Sequence, residues 1–325
     1  MDEDAIIAHI FAPLALDQGA DGLGDDAASF AGGAGDVVVS CDGLAAGVHF
    51  FPDDPADAVA AKALRVNLSD VAAKGAEPFG YLVALALGEG WSPDWVRGFA
   101  AGLARDQARY GVHLLGGDTL RASAGGGTTI AITALGRLPK GAIVRRRGAK
   151  AGDAVVLTGT VGDAALGLRC RSDAAFAASL PSTHVDALCA AYLYPDPPVA
   201  AAEAVRTFAS GAMDVSDGLV GDLEKMARVA GLRATLHIDA VPFSQAAKAA
   251  IAAAPEARDL ALTGGDDYQI LATMAPDRVA AYQSALAGHG LTATCIGAME
   301  TGEAGILTTS GGRAVTVRTG RFSHF

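Results

Sequence analysis

Short apolar runs alternate with alanine-rich, helix-forming stretches along most of this chain, and that alternation permits few folds. It is the pattern of sheets covered by helices, an α/β or α+β arrangement. Val37-Val38-Val39, Tyr81 to Leu87, Thr128 to Leu135, Ala154 to Leu157, Ala234 to Ile238 and Tyr268 to Thr273 read as strands. Asp57 reads as the N-cap of a helix running through Ala58, Ala61, Leu64 and Leu68 to about Ala76. Pro93 opens another, with Trp95, Phe99 and Leu103 on one face, ending near Tyr110-Gly111. Val112 to Leu115 predicts a short strand running into Gly116-Gly117-Asp118, Pro197-Pro198 a helix start, and Leu219 to Val229 a further helix. At 325 residues two domains are expected. The basic stretch Arg145-Arg146-Arg147-Gly148 is the boundary candidate, giving domains 1–148 and 149–325.

The charge balance limits the partners. Lys and Arg number 25 against 36 Asp and Glu, a net charge of −11. Such a chain lacks the basic face of a nucleic-acid binder and is repelled by anionic membranes. No apolar run reaches the ~18 residues of a membrane span, and the acidic start is unlike the basic n-region of an export signal. The cysteines, Cys41, Cys170, Cys189 and Cys295, show no zinc-ligand spacing. Scattered thiols of this kind predict a reducing, cytoplasmic setting.

The acids are informative by position. They recur beside glycine turns and apolar runs: Gly24-Asp25-Asp26, Ser40-Cys41-Asp42, Asn67-Leu68-Ser69-Asp70, Gly116-Gly117-Asp118, Asp214-Val215-Ser216-Asp217-Gly218 and Gly264-Gly265-Asp266-Asp267. Any one of these could be an ordinary turn. Together, at the strand ends of an α/β fold, they suggest a ligand site. Oxygen-rich, sulfur-poor clusters suit hard cations such as Mg²⁺, which commonly shares itself between carboxylates and phosphates. A nucleotide enzyme is the natural reading. The chain nevertheless lacks a GxxxxGKS/T phosphate loop and a GxGxxG fingerprint.

These segments resemble a known family. Gly22-Leu23-Gly24-Asp25-Asp26-Ala27-Ala28 is similar to the GIGDDAA opening of the thiamine-monophosphate kinases, members of the aminoimidazole-ribonucleotide-synthetase-like superfamily. Asp42 with Gly47-Val48-His49-Phe50, the stretch Lys62 to Ala76, Gly116-Gly117-Asp118-Thr119, Val156 to Asp163, Asp214 to Leu219, Gly264 to Tyr268 and the ending Phe322-Ser323-His324-Phe325 follow in the same order. Two departures stand out: Cys41 replaces the usual Thr, and Asp266 and Gln269 replace glutamates of GGEDYE.

The resemblance implies transfer of the ATP γ-phosphoryl to the phosphate of thiamine monophosphate. It implies a two-domain fold like that of aminoimidazole ribonucleotide synthetase, with an N-terminal mixed sheet and helices used for dimerisation and a C-terminal α/β domain. Several Mg²⁺ ions and a homodimer follow from it. Residue by residue, Asp26, Asp42, Asp70, Asp118, Asp214 and Asp217 match metal-ligand positions, and Ser40 and Cys41 stand beside them. Among these Asp70, Asp118 and Asp217 are the catalytic candidates. Tyr110, Gly117, Asp118, Arg146 and Ser216 match nucleotide contacts, and His49, Asp266 and Phe322 match substrate contacts.

Two other readings remain open at this point. One is a different ATP-dependent member of the superfamily, of the selenophosphate-synthetase type, although Cys41 is not in the expected N-terminal glycine-rich segment. The other is a non-catalytic divalent-cation-binding protein, although an EF-hand loop is missing.

Overall fold

A computed structural model describes residues 24–25, 28–32 and 34–317. The N-terminal half forms a sheet from β1 (Ala28–Gly32), β2 (Gly35–Ala45), β3 (Glu77–Leu87), β4 (His113–Arg121) and β5 (Thr129–Pro139), in the order β1-β2-β5-β3-β4. Strands β3 and β4 run parallel and the other described pairs antiparallel. A parallel pair needs a crossover, and helix α2 (Pro93–Tyr110) supplies it.

Helix α1 (Ala56–Ala73) is buried from Ala58 to Ala73. Alanine, valine and leucine on all sides leave it no solvent face, and a helix apolar all round belongs in an interior. Its middle packs into the core with Leu44, Ile130 and Ile132 of the sheet. Ala72 and Ala73, at its end, join a second core with Val156, Ile270 and Tyr282. α2 lies close against it, because a Cβ at Gly102 would stand 2.8 Å from the Ala60 Cβ.

The C-terminal half builds a second sheet from β6 (Ala154–Thr158), β7 (Gly211–Val215), β8 (Arg233–His237), β9 (Gln269–Met274), β10 (Ala293–Glu300), β11 (Gly305–Ser310) and β12 (Arg313–Ala314). Its order is β12-β11-β8-β10-β6-β9-β7. Around it stand α3 (Asp163–Ser172), α4 (Ala174–Ala178), α5 (Ser182–Leu193), α6 (Ala202–Phe208), α7 (Leu219–Ala230), α8 (Gln245–Ala253), α9 (Ala257–Thr263) and α10 (Val279–Ala287). Among the described residues no helix is long and apolar enough to cross a membrane.

Some local expectations change. Gly116-Gly117-Asp118 is not a turn after a short strand but the middle of β4, paired residue for residue with Leu82-Val83-Ala84. The glycine is needed there, since a Cβ at Gly117 would lie 1.8 Å from the Val83 carbonyl oxygen. Ser40-Cys41-Asp42 likewise lies inside β2 rather than at its end. The first helix starts one residue earlier than Asp57, with Pro55 at the cap position and its ring presetting φ. Pro197-Pro198 gives a 3₁₀ turn, Val199–Ala201, before α6 begins.

A buried ion pair joins α1 and α2. The Arg65 guanidinium donates to both Asp106 oxygens at 2.7 Å and to the Pro195 carbonyl at 3.0 Å. Burial opposes the charge on Arg65, but the Asp106 hydrogen bonds and charge outweigh it and hold its pKa above the usual value. Asp106→Ala leaves a guanidinium exposed by only 5% without its counter-charge. The variant is expected to lose about 3–5 kcal/mol of unfolding free energy, and Arg65→Met in addition to recover much of it. Urea unfolding of the single and double variants checks this.

Candidate active site

Helix α1 carries polar side chains that leave it in several directions, each to a different element. Ser40 Oγ of β2 donates to Asp70 Oδ2 at 2.5 Å. Asn67 Oδ1 accepts from the Asp42 backbone N–H at 2.8 Å, while its own Nδ2 is anchored on Ala63 O at 3.0 Å. Ser69 Oγ donates to Asp214 Oδ2 at 2.8 Å, at the end of β7. Lys74, just past the helix, pairs with Asp25 and donates to Ala212 O at 3.0 Å. Asp42, Asp70 and Asp214 therefore come from a strand, a helix and a strand end of the other sheet, tied by one helix.

These carboxylates feel one another. Burial pushes Asp70 well above the usual carboxylate range, and repulsion from Asp214 and Asp42 adds to it. Burial raises Asp214 to about 6. Asp42 is raised by burial and then by Asp217. Lys74 and Arg146 offset only part of this negative charge, and the hard oxygen donors fit a divalent cation chemically. Among the described residues no three His, Cys, Asp or Glu side chains stand together as a ready cage. Mg²⁺ usually completes its coordination with phosphate and water oxygens.

The turn after β7 is held from beneath. Asp222 of α7, fully buried, accepts from the Ser216 and Asp217 backbone N–H groups at 3.0 and 2.9 Å. Burial raises it to about 6, against the pull of Lys225. Lys225 pairs with Asp217 and lies 3.4 Å from Asp222. The positive charge of Arg146 lowers both Asp214 and Asp222, so it lies within electrostatic reach of them. Gly218 takes φ 111° and has the Thr263 backbone 2.5 Å from where a Cβ would be.

A second group lies toward the N-terminal end of α1. Lys62 Nζ pairs with Asp266 at 2.8 Å and donates to the His49 carbonyl at 3.2 Å. His49 Nδ1 accepts from the Ala45 N–H at 3.0 Å, which puts the proton of a neutral ring on Nε2. Asp266 and Tyr268 both have positive φ, 73° and 51°, a conformation unfavourable for non-glycine residues. Buried Asp267 between them accepts from Gly162 N–H at 2.8 and 2.9 Å and pins the loop to the start of α3.

The remaining candidates are placed apart or not described. Asp26 and Phe322 lie outside the described residues. The Cys41 side chain is exposed while Ser40 is buried, so strand alternation turns its thiol away from the acids. Tyr110 lines a separate cleft of about 590 Å³ with Arg109, Asp196, Gln269, His289 and Thr292. Gly117 and Asp118 lie on the far edge of the first sheet. Asp118 is in register with Ala84, Ala131 and Gly43, three strand spacings from β2 and so about 14 Å away.

Sequence reasoning assigned no role to Lys62, Ser69, Asp222 or Lys225. Asp222 does carry a signal: it is an acid among Leu219, Val220, Leu223 and Met226, the buried positions of α7. Lys62 carries one too, as a charge inside an alanine-rich helix.

Two sheets joined through one buried helix, with an acid cluster at the join, define the class. The family model for the AIR synthase related protein N-terminal domain matches residues 24–138, and that for the C-terminal domain matches residues 150–309. The thiamine-monophosphate kinase of Caulobacter vibrioides is 39% identical over 308 residues, covering 94% of this chain and 84% of the relative. The solved structure of AaThiL complexed with AMPPCP and TMP superposes with a TM-score of 0.86 at 28% identity, over 100% of this chain and 97% of that one. That of thiamine-monophosphate kinase from Stenotrophomonas maltophilia gives 0.79 at 35% identity, over 90% and 91%. The chain belongs to the thiamine-monophosphate kinase family.

The raised carboxylates have a consequence for stability. A carboxyl whose folded pKa is about 6 holds a proton that the unfolded chain, near 3.8, has already lost. Its contribution to stability is therefore present below about pH 4 and is lost as pH rises to about 6. Above that, ionised Asp214 weighs against the cation-free fold by up to about 3 kcal/mol. Asp214→Asn is expected to melt at higher temperature than wild type at pH 8 in EDTA, with the difference gone near pH 4. Melting curves across that range check it.

Proposed function

We propose that this chain transfers the γ-phosphoryl of ATP to the phosphate of thiamine monophosphate, giving thiamine diphosphate and ADP. The supporting observation is the joining of Asp42, Asp70 and Asp214 through Asn67, Ser40 and Ser69 in a member of this family. The acceptor is a phosphate oxygen with a second pKa of ~6, already ionised at neutral pH. No strong general base is required, which supports direct in-line transfer in this reading. Positioning and charge neutralisation then carry the catalysis.

Asp26, Asp42, Asp70, Asp118, Asp214 and Asp217 are the residues that would hold several Mg²⁺ ions, with Ser40 and the Cys41 backbone beside them. Bound magnesium would supply the neutralisation that lets two phosphate groups approach. Asp222 fixes the Ser216 and Asp217 backbone amides, and Lys225 pairs with the Asp217 carboxylate. Arg146 lies within electrostatic reach of Asp214 and Asp222 and can donate to phosphate oxygens. Tyr110, Gly117 and Ser216 are nucleotide contacts in this reading. His49, with its Nε2–H, and Asp266 and Phe322 are substrate contacts.

Among the described residues no strand pairs with the outer edge of β4, and Leu114, Leu115 and Leu120 on that strand are exposed. An apolar sheet edge of that kind supports a homodimer through the N-terminal domain. Asp118 and Gly117 lie on this edge, so we assign their role to the completed dimer. The domains are taken as 1–148 and 149–325. A cytoplasmic setting is supported by the unpaired state of Cys41, Cys170, Cys189 and Cys295.

Incubation with ATP, Mg²⁺ and thiamine monophosphate, with mass spectrometry of the products, tests the reading. Asp70→Asn is expected to lower kcat by on the order of 10²-fold or more while the protein stays folded. Near-normal turnover of that variant at limiting Mg²⁺ would remove Asp70 from the metal site. Isolation of a phosphorylated enzyme competent to phosphorylate substrate would overturn direct transfer.

A further inference from the structure

Lys62 is an ammonium exposed by only 3% inside an otherwise apolar stretch of α1. A buried cation is unfavourable unless its surroundings compensate it. Here Asp266 Oδ2 stands at 2.8 Å, the His49 carbonyl at 3.2 Å, and the Tyr192 ring centroid at 3.7 Å beneath it. Tyr192 also donates to the His49 carbonyl at 3.3 Å. The second Asp266 oxygen accepts from the Tyr268 hydroxyl at 3.0 Å. One side chain thus grips the backbone of His49 and the carboxylate of Asp266, which come from opposite halves of the chain.

We propose that Lys62 is a positioning residue that holds His49 and Asp266 together as one substrate-binding face. The proposal rests on the reading above, in which those two residues contact thiamine monophosphate. Asp266 occupies left-handed backbone without being glycine, so its orientation depends on its partners. Lys62 and Tyr268 take one carboxylate oxygen each and leave the group a single rotational setting. The substrate of this face is a cationic heteroaromatic ring bearing a phosphate, and a fixed, partly neutralised carboxylate suits orientation more than raw attraction.

The two roles predict opposite signs. If Asp266 acts on the cationic ring by charge alone, removing Lys62 frees a negative charge and binding tightens. If Lys62 positions, binding weakens. Titration calorimetry with thiamine monophosphate alone, and separately with a non-hydrolysable ATP analogue, decides it. Lys62→Met is expected to raise Kd and KM for thiamine monophosphate about tenfold, the size of one charge-assisted hydrogen bond. Affinity for the ATP analogue should stay within about twofold of wild type, as expected for a local effect. The Lys62→Met/Asp266→Ala double variant should bind no more weakly than the poorer single variant, since both act on one contact.

Should Lys62→Met fail to fold by circular dichroism, Lys62→Gln carries the same comparison, with an amide donor kept and the charge removed. Unchanged or tighter binding of thiamine monophosphate, equal weakening for the nucleotide, or additive effects in the double variant would overturn the assignment. Wild-type protein that binds no thiamine monophosphate overturns the proposed function, and this assignment with it. Wild type that binds, beside a Lys62 variant that binds equally well, overturns the assignment alone.

Discussion

From Ala58 to Ala73 helix α1 has no surface, and every polar group on that stretch must find a partner inside the protein. Alanine makes this possible, because its small side chain lets the sheet, α2 and the second core approach the backbone closely. The polar residues then act as connectors rather than as a wet face. Arg65 reaches Asp106 and Pro195, Ser69 reaches Asp214, and Lys62 reaches Asp266. An unsatisfied buried donor costs about 1–3 kcal/mol, so each connector selects the arrangement in which its partner is present. The helix thereby sets the position of both halves of the site at once.

That arrangement concentrates negative charge where solvent cannot screen it. Asp42, Asp70 and Asp214 are all held above their ordinary pKa, chiefly by burial. A fold optimised for stability alone would place leucine or asparagine at such positions. The strain is tolerable because the fold has large cores on both sides of the helix, and because a cation and phosphates can relieve it. Asp222 and Lys225 show the same logic one layer out: a buried acid organises two amides, and a lysine balances the pair it forms with Asp217.

Much of this could be read before the structure, and the failures have physical causes. Asp70 stood out because an acid in an alanine-rich helix needs a partner, and the partner is Ser40. The reading of acids as strand-end residues holds for Asp214 and for Gly264 to Asp267, but fails for Asp42 and Asp118, which lie inside strands. Glycine usually marks a turn; at Gly117 it marks a strand pressed against Val83. Periodicity puts Cys41 and Ser40 on opposite faces of β2 but does not say which face is buried. Lys62 and Ser69 escaped assignment because their partners, Asp266 and Asp214, are far along the chain, and long-range partners leave no local pattern. Asp222 depends on the Ser216-Asp217 turn, and Ser69 on the end of a strand in the other sheet.

The placement of Asp118 shows where a single chain stops being sufficient. Two strands, β5 and β3, lie between β2 and β4, and no rotamer spans that distance. Either Asp118 has no part in phosphoryl transfer, or the reacting groups assemble across a boundary that one copy does not contain. The leucines exposed on the same edge among the described residues favour the second, because an exposed apolar strand edge is a template for pairing with another chain. A second copy would cover the edge and carry Asp118 along with it. Dimerisation would then be a condition of catalysis as well as of solubility, and dilution below the dimer's Kd would reduce turnover in proportion to the assembled fraction.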